Sequence, residues 1–256
     1  MNNSNESQCL IFSHRGASLE ATENTPWAFD RSLTYCIDGI ETDVQLSRDG
    51  IPVLWHDRFL DKIARPNQRI DDFDFADLCR LHLPESFSRN KTNARIMGLE
   101  EFVHSYHARA QLLIEVKNRP WDQGTGRHEL KMRHCMDLAK RFGSLNGVRG
   151  ISISSFNLDS LAYAHDYSGE CPLIYNSEEL VGSDQIEDFF QNTTFIAGLC
   201  LPIENLNQTN VSTLRSLDKT IATYTCNKDE HISRALRFGV DILITDDPQR
   251  AITLRG

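Results

Sequence analysis

Short runs of apolar and β-branched residues recur along the chain, separated by longer stretches of mixed polarity. They are CLIFSH from Cys9, GIETDV from Gly39, QLLIEVK from Gln111, GISISS from Gly150, CPLIY from Cys171, FIAGLCL from Phe195, TIATYTC from Thr220 and DILITD from Asp241. Each has the length and composition of a strand, and there are eight. Between most of them apolar residues return every three to four positions, as in Trp27, Phe29 and Leu33, or Leu130, Met132, Met136 and Leu138. That spacing predicts amphipathic helices. Strand then helix, eight times over, predicts a (β/α)8 TIM barrel formed by residues 1–256 as one domain. A doubly wound open sheet is the competing architecture, but a nucleotide-binding version would want a Gly-x-Gly-x-x-Gly turn after the first strand, and none is there.

Two places break the repeat. After Val44 the sequence runs through Ser47, Arg48, Asp49 and Gly50 into Ile51–Trp55, an Asp-Gly turn between extended segments that predicts a hairpin where a helix would be expected. Residues 57–98 then follow with prolines at 66 and 84 and no long periodic run. This is too long for a barrel loop, and it predicts a small subdomain capping the barrel after the second strand. Its aromatics, Phe59, Phe73, Phe75 and Phe87, are expected to form a core of its own.

Composition narrows the function classes. The 256 residues carry 27 Lys+Arg against 36 Asp+Glu, a formal charge of −9, with no basic run. A nucleic acid backbone or an anionic leaflet therefore meets no electrostatic footprint, and neither nucleic acid nor stable membrane association is expected. No segment approaches the roughly 20 apolar residues of a membrane helix. Met1 to Gln8 is polar, without the cationic and apolar regions of a signal peptide, so a frayed tail and a cytoplasmic location are expected. The seven cysteines are widely spread, mostly among apolar neighbours, without Cys-x-x-Cys spacing. They read as small core residues in a reducing compartment. The glycosylation-type triplets at Asn192, Asn207 and Asn210 then carry no meaning.

In a TIM barrel the chemistry sits at the C-terminal ends of the strands. The first run ends in His14, Arg15 and Gly16; the second carries Glu41 and Asp43; the hairpin ends in His56 and Asp57; the third ends in Glu115 and Lys117. Side chains at i and i+2 of a strand share a face, roughly 6 to 7 Å apart. Glu41 with Asp43, and Glu115 beside them, thus gather three carboxylates at adjacent strand ends. Such a group repels itself unless a hard divalent cation compensates. A single acidic residue of this kind would be read as half of an ion pair; three together point to Mg²⁺ or Ca²⁺, with Mn²⁺ also accommodated. His14 and His56 each end an extended apolar segment, where an imidazole can serve as general acid or base near neutral pH. With Arg15 and Lys117 near them, the set matches what phosphate-ester cleavage needs, positive charge for the oxygens and a proton for the leaving alkoxide.

His14-Arg15-Gly16, Glu23-Asn24-Thr25, Ile40-Glu41-Thr42-Asp43, Asp49-Gly50-Ile51-Pro52-Val53 leading into His56-Asp57, Glu115-Val116-Lys117 and Thr245-Asp246-Asp247-Pro248 occur in this order along nearly the whole chain. In combination they resemble the glycerophosphodiester phosphodiesterase family, and Gly98-Leu99-Glu100-Glu101 and Ser155-Phe156 resemble two further motifs of it. The resemblance implies a TIM barrel with a small insertion after the second strand. It implies a divalent ion held by Glu41, Asp43 and Glu115, with His14 and His56 as acid/base pair. Arg15 and Lys117 would contact the phosphate, with Asn24 and Tyr224 beside them on the substrate side. The reaction implied is hydrolysis of a small-molecule glycerophosphodiester to glycerol 3-phosphate and an alcohol. Two positions depart from the pattern: Thr22 stands where proline is usual, and Tyr224 where tryptophan is expected in the seventh strand. Tyr224 would reshape the apolar wall that receives the substrate. Phospholipase D-like cleavage of lysolipids and an inactive ligand-binding barrel are the alternatives.

Overall fold

The computed structural model describes residues 8–81, 83, 94–142, 150–180 and 182–256. The tail expected over Met1 to Gln8 lies outside them except for Gln8, as do Pro84 and Phe87 of the expected cap. In chain order the first elements are β1 (Leu10–His14), α1 (Pro26–Leu33), β2 (Gly39–Leu46), β3 (Pro52–Leu54), β4 (Phe59–Leu60), β5 (Arg65–Arg69), the single turn α2 (Phe75–Leu78) and α3 (Leu99–Tyr106). There follow β6 (Gln111–Val116), α4 (Arg127–Phe142), β7 (Ile151–Ser155), α5 (Leu158–Ser168), β8 (Leu173–Asn176) and α6 (Ser183–Asn192). The last are β9 (Gly198–Pro202), α7 (Gln208–Ser216), β10 (Thr220–Tyr224), α8 (Asp229–Phe238), β11 (Ile242–Thr245) and α9 (Pro248–Arg255).

All eight apolar runs become strands, and they close. The parallel order is β1-β11-β10-β9-β8-β7-β6-β2, and β2 pairs back onto β1. With a helix after each strand this is a (β/α)8 TIM barrel, as the repeat predicts. Because side chains alternate along a strand, each run is divided between two cores. Ile11, Leu112, Ile114, Leu199, Leu201, Ile221 and Leu243 face outward onto the helices, which answer with Phe29, Phe102, Met132 and Leu161. The residues between them, Phe12, Leu113, Cys200, Ala222, Ile242 and Ile244, fill the barrel with Ile174. Gly39 belongs to this inner layer by necessity, since a Cβ there would lie 2.4 Å from the Phe12 ring.

The hairpin is present, with β3 antiparallel to β2 and Gly50 at φ +80 in the turn. Beyond it, β4 and β5 form a two-stranded ribbon that the sequence pattern does not reveal, because β5 is only five residues, RPNQR, and mostly exposed. The segment does have its own core, but one built from Trp55 and aliphatic residues, Val53, Leu60, Ile63, Ile70, Leu78, Leu81, Leu83 and Ile96. Of the aromatics expected there, Phe73 and Phe75 pack only against its edge and Phe59 is exposed. The cysteines also need one correction. Cys9, Cys135, Cys200 and Cys226 are buried and Cys79 and Cys171 partly so, but Cys36 is exposed, because it lies after the end of α1 in a left-handed turn with φ +56. Among the described residues, no helix is long and apolar enough to cross a membrane.

The helical layer that backs β1 and β2 is organised by an aromatic trio. Phe29 of α1 lies 4.8 Å from Phe102 of α3 and 5.3 Å from Tyr106, centroid to centroid. Phe102 is fully buried. Its truncation in Phe102→Ala is expected to lower unfolding stability by about 3–5 kcal/mol through lost burial and the cavity left behind. A urea titration showing a loss below about 1 kcal/mol would place this trio outside the cooperative core.

Candidate active site

Counting two residues on from the apolar inner layer reaches the barrel mouth. After Phe12 comes His14, after Leu113 comes Glu115 and then Lys117, after Ile174 comes Asn176, after Ala222 comes Tyr224. A cavity of about 500 Å³ opens there, and these side chains line it together with Glu41, His56, Arg15, Arg119, Phe156 and Glu178. The same pleat that packs the barrel thus delivers its polar crown.

Register decides which of them meet. His14 stands opposite Glu41 where β1 pairs β2, and Asp43 opposite Glu115 where β2 pairs β6. The carboxylate oxygens of Glu41, Asp43 and Glu115 lie within 4.8 Å of one another. Asp43 has no exposure at all and Glu41 has 3 %. Two cations answer them: Arg15 Nε is 2.8 Å from Asp43 Oδ2, and Lys117 Nζ is 2.9 Å from Asp43 Oδ1 and also pairs with Glu115. Burial would push the Asp43 carboxyl up, but Lys117 and Arg15 outweigh it and hold Asp43 far below the usual carboxylate range. Glu41 has weaker relief, from the charges of His14 and Arg15. Burial, then the like charges of Asp43 and Glu115, push it up to about 8. Its Oε1 is buried without a hydrogen-bond partner. One under-neutralised carboxylate with a free buried oxygen, beside two more oxygen donors, fits a hard divalent cation in both charge and donor chemistry.

Each histidine is oriented by a carboxylate. His14 Nδ1 is 2.6 Å from Asp246 Oδ1, and its Nε2 is turned toward Glu41, 3.9 Å from Oε2. His56 Nδ1 is 2.6 Å from Asp57 Oδ1. Burial lowers the His14 pKa, but the Asp246 hydrogen bond and the Glu41 charge more than offset it and the net shift is upward. In return His14 helps to hold Asp246 at about 2 against the effect of burial. His56 shifts the other way, through burial and the nearby positive charges of Lys117 and Arg15, which outweigh Asp43.

The structure brings His14, His56, Glu41, Glu115, Arg15, Lys117 and Tyr224 to one cavity, with Asp43 directly beneath it. Asn24 is elsewhere. Its Nδ2 donates to Asp43 Oδ2 at 3.0 Å and its Oδ1 accepts from Thr42 at 2.8 Å, so it positions a carboxylate, and it is buried outside the residues that line the cavity. The Glu23-Asn24-Thr25 motif is otherwise explained by structure: Thr25 caps α1 and Glu23 Oε2 accepts from Arg15 at 3.1 Å. Tyr224 meets Phe156 edge-on at 6.2 Å, and its Oη is buried without a partner. Sequence reasoning gave no role to Asp246, Asn176, Glu178 or Arg119. The first two were within reach of the same two-residue count, since Asp246 lies two beyond Ile244.

A model of the glycerophosphoryl diester phosphodiesterase family matches residues 14–250. A glycerophosphodiester phosphodiesterase of Bacillus altitudinis is 28 % identical over 249 residues, covering 96 % of this chain and 97 % of its own. A lysophospholipase D of Mus musculus is 29 % identical over 115 residues, 43 % of this chain and 34 % of its own. Among solved structures, an Oleispira antarctica phosphodiesterase in complex with the product sn-glycerol-3-phosphate has TM-score 0.83 at 23 % identity, with 96 % of each chain covered. A glycerophosphodiester phosphodiesterase of Agrobacterium tumefaciens has TM-score 0.77 at 20 % identity, over 96 % of this chain and 99 % of its own. At these identities the structural matches speak for the barrel, whereas the family model spans every strand end that builds the cavity. The chain is therefore an enzyme that belongs to the glycerophosphoryl diester phosphodiesterase family.

Proposed function

We propose that the protein hydrolyses glycerophosphodiesters to glycerol 3-phosphate and an alcohol, with Glu41, Asp43 and Glu115 holding a divalent cation and His14 and His56 moving the protons. The observation that carries this reading is the convergence of two carboxylate-oriented histidines, three crowded carboxylates and two cations on one cavity. Arg15 and Lys117 offer positive charge to the non-bridging oxygens of the diester. The bound cation, Mg²⁺, Ca²⁺ or Mn²⁺, would supply Lewis-acid charge against the same oxygens. One histidine accepts a proton from the attacking oxygen, of water or of the glycerol 2-hydroxyl, as that oxygen bonds to phosphorus; in the second case water then opens the cyclic phosphate to glycerol 3-phosphate. The other gives a proton to the departing alkoxide as the second P–O bond breaks. In each ring the Asp-bonded Nδ1 leaves Nε2 as the transferring atom. Residues 57–98 are read as the substrate-side cap, and the unpaired cysteines suit a cytoplasmic setting. Lysolipid cleavage is the second reading, favoured by the exposed rings of Trp121 and Phe156 beyond β6 and β7. Lysophosphatidylcholine assayed beside glycerophosphocholine separates the two.

The metal assignment makes an expectation with two readouts. Dialysis against EDTA abolishes turnover, and Mg²⁺, Mn²⁺ or Ca²⁺ restores it; the same ions raise the melting temperature, because binding to the folded state alone stabilises it. Glu41→Gln, which replaces one of the three carboxylates by a neutral amide, should blunt that thermal shift. Full activity in excess EDTA overturns the assignment.

The proton-transfer roles are tested by His14→Ala and His56→Ala, each expected to lose roughly 10²- to 10⁴-fold in kcat. Their melting temperatures should stay within a few degrees of wild type. His104→Ala, on the exposed face of α3, serves as control and keeps its turnover. Either variant retaining more than about a tenth of wild-type kcat removes that histidine from the mechanism.

A further inference from the structure

Beside the reaction cavity lies a second one of about 280 Å³, and the two share Arg119 and Phe156. It falls just below the ~300–1,000 Å³ range of small-molecule sites, a size for a small head group. Its walls also carry Asn118, Glu129, Asp159 and Tyr163. Three features set it apart from ordinary surface relief. Among the described residues Arg119 makes no ion pair, although the carboxylates of Glu129 and Asp159 line the same cavity. Those two carboxylates are likewise unpaired there. The amide of Asn118 has both Nδ2 and Oδ1 buried with no hydrogen-bond partner. Buried polar groups left open at both ends call for a guest that donates and accepts.

We infer that this second cavity receives the alcohol half of the diester and selects an alcohol bearing both a carboxylate and an ammonium group, as serine does. The inference rests on the hydrolysis proposed above. Arg119 lies two residues beyond Lys117 and borders both cavities, so an alcohol extending from a phosphate at Lys117 meets the guanidinium as it crosses. A guanidinium fork matches a carboxylate in bidentate fashion. Glu129 and Asp159, exposed on the same walls, supply negative charge for the ammonium, and the Asn118 amide, set within the wall, reaches the guest as a donor and acceptor only when its side chain turns toward the cavity. Other head groups use less of the cavity. A quaternary ammonium offers Asn118 no donor and leaves Arg119 unpaired. A polyol satisfies Asn118 but leaves all three charges idle. An acyl chain would cover the charges and the amide without compensation.

Glycerophosphoserine and glycerophosphoethanolamine differ only in the carboxylate, which makes them the probe. With the divalent cation present, kcat/KM for wild type is expected to favour glycerophosphoserine by about tenfold, the lower end of what one charged hydrogen-bonded contact contributes. Arg119→Gln should bring that ratio close to one, and Arg119→Lys should leave an intermediate ratio, because it keeps the charge without the fork. Asp159→Asn should weaken both amino alcohols relative to glycerophosphoglycerol, which has no ammonium. Equal wild-type rates on the serine and ethanolamine diesters, or an Arg119→Gln loss shared equally by both, overturn the inference. Failure of all three diesters to yield glycerol 3-phosphate is a different result, and it would overturn the hydrolysis reading itself.

Discussion

A carboxylate with no solvent exposure that must stay ionised is the constraint around which this molecule is arranged. Taking one ion out of water carries a penalty of several kcal/mol, which close partners must offset. Asp43 has three: Arg15 at 2.8 Å, Lys117 at 2.9 Å and the Asn24 amide at 3.0 Å. They come from the loop after β1 and from the end of β6, so satisfying Asp43 fixes both sides of the barrel mouth. The loop pays in backbone strain. Arg15 and Asn24 both sit in the left-handed region, at φ +59 and +56, a conformation that asparagine adopts readily but that costs a side chain such as that of Arg15 roughly 1–2 kcal/mol. Strain of this kind persists where surrounding contacts over-determine it.

That arrangement leaves the mouth poised by charge. Three carboxylates against Arg15 and Lys117 leave one negative charge in excess when all are ionised, and Glu41, pushed up by burial and by Asp43 despite His14 and Arg15, is the one that resists ionisation. An anionic diester meets no surplus of positive charge on this surface. A divalent ion held by these carboxylates would supply it, and would give the free Glu41 oxygen a partner. Admission of an anionic substrate and retention of the cation would then be one electrostatic condition.

Much of this was legible in the chain because two periods are written into it. The eight strands and their helices follow from alternation and three-to-four spacing, and His14, Glu41, Asp43, Glu115 and Lys117 stand out as polar residues ending apolar runs. What no local pattern carries is pairing at a distance. Asp246 orients His14 across 232 residues, a contact that exists only once β11 closes against β1. Asn24 looks like a substrate contact beside Arg15, but the fold turns it down onto Asp43. The insertion core departs from the sequence pattern for a related reason. Aromatic residues suggest burial by size, yet which side chains are buried depends on the face that β3 presents, and Val53 and Trp55 recruit aliphatic partners.

That face explains why the insertion and the catalytic crown are mechanically one unit. β3 alternates like any strand, so Val53 and Trp55 belong to the insertion core while Leu54 between them belongs to the main core. His56 follows directly, its carbonyl accepting from the Gln45 amide of β2 at 3.0 Å. A line of opposite charges then returns to the barrel: Asp57, bonded to His56, is 2.8 Å from Lys62, which is 2.8 Å from Glu23, which is 3.1 Å from Arg15, the partner of Asp43. Lys62 is half exposed, and such a link adds little stability. Its effect is geometric, because each member restricts the rotamers of the next. The two histidines proposed to share one proton-transfer reaction are thereby referred to the same buried carboxylate, His14 through the β1–β2 register and His56 through a chain of charges that only the insertion can supply.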